Sequence, residues 1–343
     1  METNMNTMKT VKMLMCVAAA VAAPAFAQVT LNTNLWLPQT HVTAAGIILP
    51  LCADINTVTS GRVKCNVLPK AVVAAPQTFD AIKDGVADLA LIVEGYTPGR
   101  FQLAKVAEFP FLGDTAEATS VAYQRVYDKY FGKADEYKGV KVLAVTTHGP
   151  GQLYTKRPIK TLDDLRGLKI RTGGGLVNDV FKALGATGML KAAPEVYELM
   201  SGGIIDGFVF PRETAFSLKL IPLFSDTLSV PGGLYNVSFA VIMNPAKWAQ
   251  ISKADQTAMQ ALFGEPLARR AGKAWDEADA KGLAAMQQAG IKVTTASPAL
   301  IADIKKKIEH LETDWASSVK AKNVDGAAVL KEMRDEIAAE SRK

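Results

Sequence analysis

The pattern that most restricts this chain is a motif that occurs twice. Phe79-Asp-Ala-Ile-Lys-Asp-Gly85-Val-Ala-Asp88-Leu-Ala-Leu91 and Tyr197-Glu-Leu-Met-Ser-Gly-Gly203-Ile-Ile-Asp206-Gly-Phe-Val209 each carry an aromatic six residues before a glycine and an aspartate three after it. The spacing reads as a helix ending on a left-handed glycine, a tight turn and a buried strand. Such a unit is common in itself, so its position counts for more than its existence. One copy lies in the N-terminal third and the other past the middle, which points to two similar α/β lobes instead of one large sheet. Period-two apolar runs at 29–35, 63–68, 87–93 and 140–145 alternate with helical stretches at 42–57 and 76–83, the alternation of an α/β fold. From 246 to 290 the pattern turns long and helical, with Trp248, Met259, Leu262, Leu267, Ala271 and Trp275 on one stripe. A helix there would brace both lobes, and 298–343 reads as further helix.

Lys9 and Lys12 precede an apolar run from 13 to 23, and Ala25-Phe26-Ala27 places small residues at a cleavage site. Residues 1–27 therefore read as a secretory signal peptide. Its removal takes away two lysines and Glu2, lowering the formal charge from +5 to +4. That mild excess is spread along the chain without a block of five like charges, which argues against nucleic acid or an anionic membrane as main partner. In an oxidising compartment Cys52 and Cys65 have the option of pairing, but the sequence leaves the pairing open. The histidines, His41, His148 and His310, lie far apart, so no metal site is expected, and no cofactor.

Catalytic patterns are weak. No Gly-x-Ser-x-Gly motif occurs, and the acidic pairs Asp163/Asp164 and Glu195/Glu198 read as first turns of helices, where carboxylates are favoured. His148 sits in the loop 146–151, which is able to face a crevice, without a serine or cysteine context. The expectation is a protein that is not an enzyme.

The segment 169–186, Lys-Ile-Arg-Thr-Gly-Gly-Gly-Leu-Val-Asn-Asp-Val-Phe-Lys-Ala-Leu-Gly-Ala, reads as a strand, three glycines and a helix. Asn178 stands where a dinucleotide motif needs its third glycine, and no Gly-Lys-Ser/Thr follows. What the segment does offer is Arg171 at the strand's end, aimed at whatever crevice lies above it. A guanidinium there suggests a carboxylate ligand.

Together, the run Lys156 to Arg171, Phe181-Lys-Ala-Leu-Gly-Ala186, Glu195-Val-Tyr-Glu198 and Gly203-Ile-Ile-Asp-Gly207 resemble the solute receptors of tripartite ATP-independent periplasmic (TRAP) transporters, the DctP-like family. Ser60 to Lys64, Gly85-Val-Ala-Asp88 and Phe109-Pro-Phe-Leu112 fit the same family in the same order. The resemblance implies a two-lobed α/β fold of the periplasmic-binding-protein kind (type II-like) with a long helix spanning both lobes. It implies lobe I over 28–147 with part of 236–275, lobe II over 148–235 with part of 286–320, a bridging helix over 246–290 and C-terminal helices over 298–343. It also implies a periplasmic monomer, which closes on a small organic acid and hands it to TRAP-type permease subunits. In that family the arginine matching Arg171 salt-bridges the ligand carboxylate.

Departures from the family pattern shape the ligand expectation. The loop 149–154 has no arginine, and Gln152 is the neutral donor in its place. Phe210 stands before Pro211 where relatives often carry a polar residue, which favours an aromatic or hydrophobic monocarboxylate. Trp36, Tyr96 and Tyr235, at or near strand ends, are further candidates for the wall or the core. Arg212, Glu213 and Glu94 are charged candidates, and a second cation beside Arg171 would favour a dicarboxylate instead. A sensor feeding a membrane kinase would share every motif, and a carboxylate-processing enzyme is the remaining reading.

Overall fold

Residues 28–132 and 134–343 are described by a computed structural model, so the expected signal peptide at 1–27 lies outside the described residues. The chain begins β1 (Val29–Asn34), α1 (Leu49–Val58), β2 (Val63–Val67), α2 (Thr78–Lys83), β3 (Leu89–Val93), α3 (Ala116–Val126) and β4 (Lys141–Thr147). It continues β5 (Gln152–Thr155), β6 (Lys169–Thr172), α4 (Leu176–Ala183), β7 (Thr187–Leu190), α5 (Val196–Ser201), β8 (Gly207–Phe210), α6 (Arg212–Ser217) and β9 (Asp226–Ser229). It ends β10 (Ser238–Met243), α7 (Pro245–Gln250), α8 (Lys253–Gln260), α9 (Glu265–Gln288), β11 (Lys292–Thr295), α10 (Pro298–Ser318) and α11 (Gly326–Glu340).

The strands form two sheets, ordered β2-β1-β3-β10-β4 and β11-β9-β5-β8-β6-β7, and the fold is two-lobed α/β. In the first, β1 runs parallel to β2 and β3 while β10 is antiparallel to β3 and β4. Central strands covered on both faces lose the alternation of a half-exposed strand; accordingly β3 and β10 are buried along their whole length. The chain passes between sheets through 148–151, returns through 230–237, and crosses again by way of α9.

The repeated motif does the same work in each lobe. Gly85 and Gly203 have φ of 75° and 68°, values open to glycine at little cost. The aspartate that follows pairs reciprocally with a neighbouring strand: Asp88 accepts from Asn32 N at 2.7 Å and donates its own N–H to Asn32 O, and Asp206 does likewise with Lys169 N at 2.8 Å and Lys169 O. The aspartates thus dock the new strand on its parallel neighbour.

Over 246–290, where the sequence predicts one helix, there are three. Ile251 leaves the helical region, Ser252 caps α8 through Asp255 N at 3.1 Å, and Gly264 (φ 65°) precedes α9. The bridging is done by α9 alone. Asp276 accepts from Ala116 N (2.6 Å) and Glu117 N (3.0 Å) at the start of α3, and Asp279 accepts from Glu213 N (2.7 Å) at the start of α6. Carboxylates are well placed at helix N-termini, so two aspartates one turn apart fasten α9 to a helix of each lobe. Cys52 on α1 and Cys65 on β2 are joined by a disulfide, which settles the pairing the sequence left open. No helix among the described residues is long and apolar enough to cross a membrane.

Candidate functional site

The carboxyl ends of β3 and β6 meet across the gap between lobes, and the glycines of 173–175 govern how closely. A Cβ on Gly174 would lie 2.1 Å from Gly95 O, and one on Gly175 would lie 2.2 Å from the Glu108 carboxylate. Side chains at these positions would hold the lobes apart. The N-terminus of α4 is already served by a protein anion: Leu176 N donates to Glu108 Oε2 at 2.7 Å and Ser238 Oγ to Oε1 at 2.6 Å. The glycines therefore serve contact between lobes.

Arg171 is 1% exposed. Its Nε donates to Lys191 O (2.8 Å), Nη1 to Val209 O (3.2 Å) and Nη2 to the Tyr96 hydroxyl (3.2 Å), while its Cζ sits 4.2 Å over the Phe210 ring. These acceptors are all neutral, and among the described residues no carboxylate lies within 4.0 Å of the guanidinium. A buried cation with neutral partners only is costly until an anion joins it. The Tyr96 oxygen also accepts from Ala193 N at 2.8 Å, so both of its lone pairs are engaged and its own O–H remains to donate.

Arg171 lines a narrow interlobe cavity of about 40 Å3, smaller than a usual small-molecule site, so the lobes have to part to admit a ligand. Trp36, Tyr96, Phe210, Tyr235, Phe239 and Trp275 supply its aromatic wall, and Leu37, Val93 and Val237 its aliphatic part. The Trp36 Nε1–H is satisfied by Leu91 O at 2.7 Å, so that ring meets the cavity as an apolar face. Polar groups are few: Thr43, Thr214, His41 and His148.

Both imidazoles are neutral, because burial drives His41 down to about 3 and His148 down to about 4. His41 Nδ1 accepts from Thr43 N at 3.1 Å, which puts its proton on Nε2, within 3.1 Å of Glu213 Oε2 and 3.3 Å of Thr214 Oγ1. This is a hydrogen bond from a neutral ring, with burial pushing the Glu213 carboxyl up to about 7.

Five of the nine residues expected from the sequence line the cavity: Arg171, Phe210, Trp36, Tyr96 and Tyr235. Four do not, and each is held elsewhere. Gln152 gives its amide N–H to Pro150 O at 2.8 Å, so it replaces no arginine. Glu94, at the end of β3, faces the first lobe's core and accepts from the Tyr123 and Tyr137 hydroxyls. Arg212 reaches Ser229 Oγ at 3.3 Å, and among the described residues Arg171 is the one lysine or arginine in the cavity lining. Glu213 sits one layer behind the wall, joining Val42 N (3.2 Å) and His41 of one lobe to α6 of the other. Phe210 does line the wall, yet its ring also underlies the guanidinium, a role the sequence did not suggest.

His41, His148, Phe239 and Trp275 were not singled out as site residues. In the sequence Trp275 stands only on the apolar stripe of the long helix, and the signal for His148 is its place in the loop 146–151. A wider groove of about 480 Å3 between α4 and α10 holds Lys105, Lys182, Asp179 and His310. It is open to solvent and Lys105 is paired with Asp179 at 3.5 Å, so it lacks a free buried charge.

Comparison with known proteins gives the family. Residues 34–318 match the family model of the bacterial extracellular solute-binding proteins, family 7 (DctP). The chain belongs to that family, the receptor subunits of TRAP transporters. It is similar to a TRAP periplasmic solute-binding protein of Bordetella bronchiseptica, solved with (R)- and (S)-mandelate bound: 43% identity, TM-score 0.89, covering 91% of this chain and 99% of that one. It also resembles a marine-metagenome TRAP solute-binding protein specific for aromatic acids, solved with 3-hydroxybenzoate, at 33% identity and TM-score 0.86, covering 91% and 99%. A Comamonas testosteroni protein named outer membrane transporter protein TsaT is 31% identical over 332 residues, 95% of this chain and 98% of that protein.

Proposed function

We propose that this receptor captures an aromatic monocarboxylate between its lobes and delivers it unchanged to a TRAP-type permease. The observation that carries the reading is Arg171, a buried guanidinium with neutral partners only, in a cavity walled by aromatic rings. The Arg171 fork and the free Tyr96 O–H hold the carboxylate, while Trp36, Phe210 and Tyr235 contact the ring. A bidentate arginine fixes orientation as well as charge. One cation in the lining, with Arg212 turned to Ser229, favours a monocarboxylate over a dicarboxylate. The mandelate and 3-hydroxybenzoate bound by similar receptors are of the same chemical class.

Binding without conversion fits the titration of the lining. A general base works best with a pKa near the operating pH, and the two imidazoles are held at about 3 and about 4. The lobes pivot at 148–151 and 230–237, and the mature chain begins near Gln28 in the periplasm as a monomer. Thermal-shift scans against aromatic, aliphatic and dicarboxylic acids test the reading, since a ligand of the native state raises the melting temperature. Aromatic monocarboxylates are expected to give the largest rise and to be recovered chemically intact. A rise with dicarboxylates alone would overturn the ligand class, and turnover of the acid would overturn the receptor role.

A further inference from the structure

Two fully buried polar atoms in the cavity wall are left without partners among the described residues. The His148 Nδ1 faces Gly149 O; a carbonyl only accepts, so Nδ1 carries the proton of the neutral ring and Nε2 presents a lone pair. That Nε2 is buried and has no hydrogen-bond partner among the described residues, and the same holds for the Trp275 Nε1–H. Both residues line the cavity, with ring centroids 5.8 Å apart and the planes at 62°. His148 is 2% exposed and Trp275 1%. One orphaned acceptor and one orphaned donor thus belong to neighbouring rings of an otherwise aromatic wall, an arrangement that carries a free-energy cost until something joins them.

The pair discriminates among ligand groups. A carboxylate satisfies Trp275 Nε1–H but sets its charge against the His148 lone pair, and Arg171 already offers it a better place. A methyl or ring C–H satisfies neither atom. A hydroxyl has one O–H to give and lone pairs to receive with, so it answers both at once. We infer that the ligand bears a hydroxyl in addition to its carboxylate, donating to His148 Nε2 and accepting from Trp275 Nε1–H. The inference rests on the aromatic-monocarboxylate reading and refines it to hydroxylated aromatic acids. His148 and Trp275 are then specificity-determining residues, drawn from the interlobe segment 148–151 and from α9, two of the three connections between the lobes.

The test is isothermal titration of the purified chain with two pairs of acids that differ by one hydroxyl: mandelate against phenylacetate, and 3-hydroxybenzoate against benzoate. The hydroxylated member of at least one pair should bind roughly 10- to 100-fold more tightly, since its absence leaves two buried groups unpaired. Whichever pair shows the ratio places the hydroxyl on the side chain or on the ring. Trp275→Phe and His148→Phe keep an aromatic ring and should each shrink that ratio toward one. Equal affinities within both pairs in the parent would overturn the inference while leaving the aromatic-acid reading intact, and would point to a water joining the two atoms. Binding of none of the four acids would overturn both. The parent ratio stands as a test even if neither variant folds, and an unchanged ratio in both folded variants would remove His148 and Trp275 from the recognition.

Discussion

Replacing Arg171 with methionine keeps an unbranched side chain of similar reach and deletes the charge. A carboxylate on the guanidinium fork gains two charge-assisted hydrogen bonds, each contributing about 1.5–3 kcal/mol net. Their loss therefore amounts to roughly 3–6 kcal/mol, or roughly a 100- to 10,000-fold weaker Kd for an aromatic monocarboxylate. Stability of the empty receptor should change much less. The carbonyls of Lys191 and Val209 lose a donor, but a desolvated cation with no carboxylate within 4.0 Å is removed as well. Titration calorimetry with mandelate and 3-hydroxybenzoate measures the first effect, and urea unfolding without ligand measures the second. Arg171→Lys should fall between, because a point charge replaces the planar fork. If Arg171→Met bound these acids within tenfold of the parent, Arg171 would not be the carboxylate's partner.

Three other outcomes follow from contacts elsewhere. Glu108→Ala removes the acceptor that Leu176 N and Ser238 Oγ share across the lobes; apparent affinity should drop about tenfold with a shift toward open particles in small-angle scattering, and unchanged affinity would show that this contact does not aid closure. Stability should decline by roughly 1–2 kcal/mol between pH 6.5 and 8. Burial raises Glu94, Glu213 and Asp279 to about 7, so the native state holds protons that the unfolded chain has released, and the stability present at lower pH is lost as these groups ionise. His41 and His148, lowered to about 3 and about 4, act in the opposite sense, chiefly below pH 6.5; urea unfolding at both pH values checks the sign, and Glu94→Gln should lessen the decline. Replacing Cys52 and Cys65 together by alanine should cost about 3 kcal/mol, from the freedom returned to a short loop in the unfolded chain, read as a lower urea midpoint.

The repeated Gly-x-x-Asp motif was legible because it is local: the glycine's φ and the aspartate's pairing with a neighbouring strand follow from a few residues of spacing. Arg171 was legible for the same reason, at a strand end before glycines. The purpose of those glycines was not, since their neighbours, Gly95 and Glu108, come from the other lobe. Glu94, Gln152, Arg212 and Glu213 lie at strand ends or helix starts next to the cavity, but sequence fixes proximity better than direction: the first three turn to partners outside the lining, and Glu213 meets His41 from behind the wall. Trp275 shows the converse. Its place on an apolar helical stripe is the usual mark of a core residue, and only the crossing of α9 between lobes brings that stripe to a ligand cavity. The break at Gly264 does carry a signal, Pro266 in the first turn of α9, which the continuing apolar stripe outweighs in the sequence.

The most direct test of the account is a crystal structure of the receptor grown with 3-hydroxybenzoate or mandelate. The account predicts the acid between the lobes, its carboxylate within hydrogen-bonding distance of the Arg171 guanidinium and the Tyr96 hydroxyl, and its ring among Trp36, Phe210 and Tyr235. A ligand seated in the open groove beside Lys105 and Lys182, or one in the interlobe cavity with its carboxylate turned away from Arg171, would contradict it.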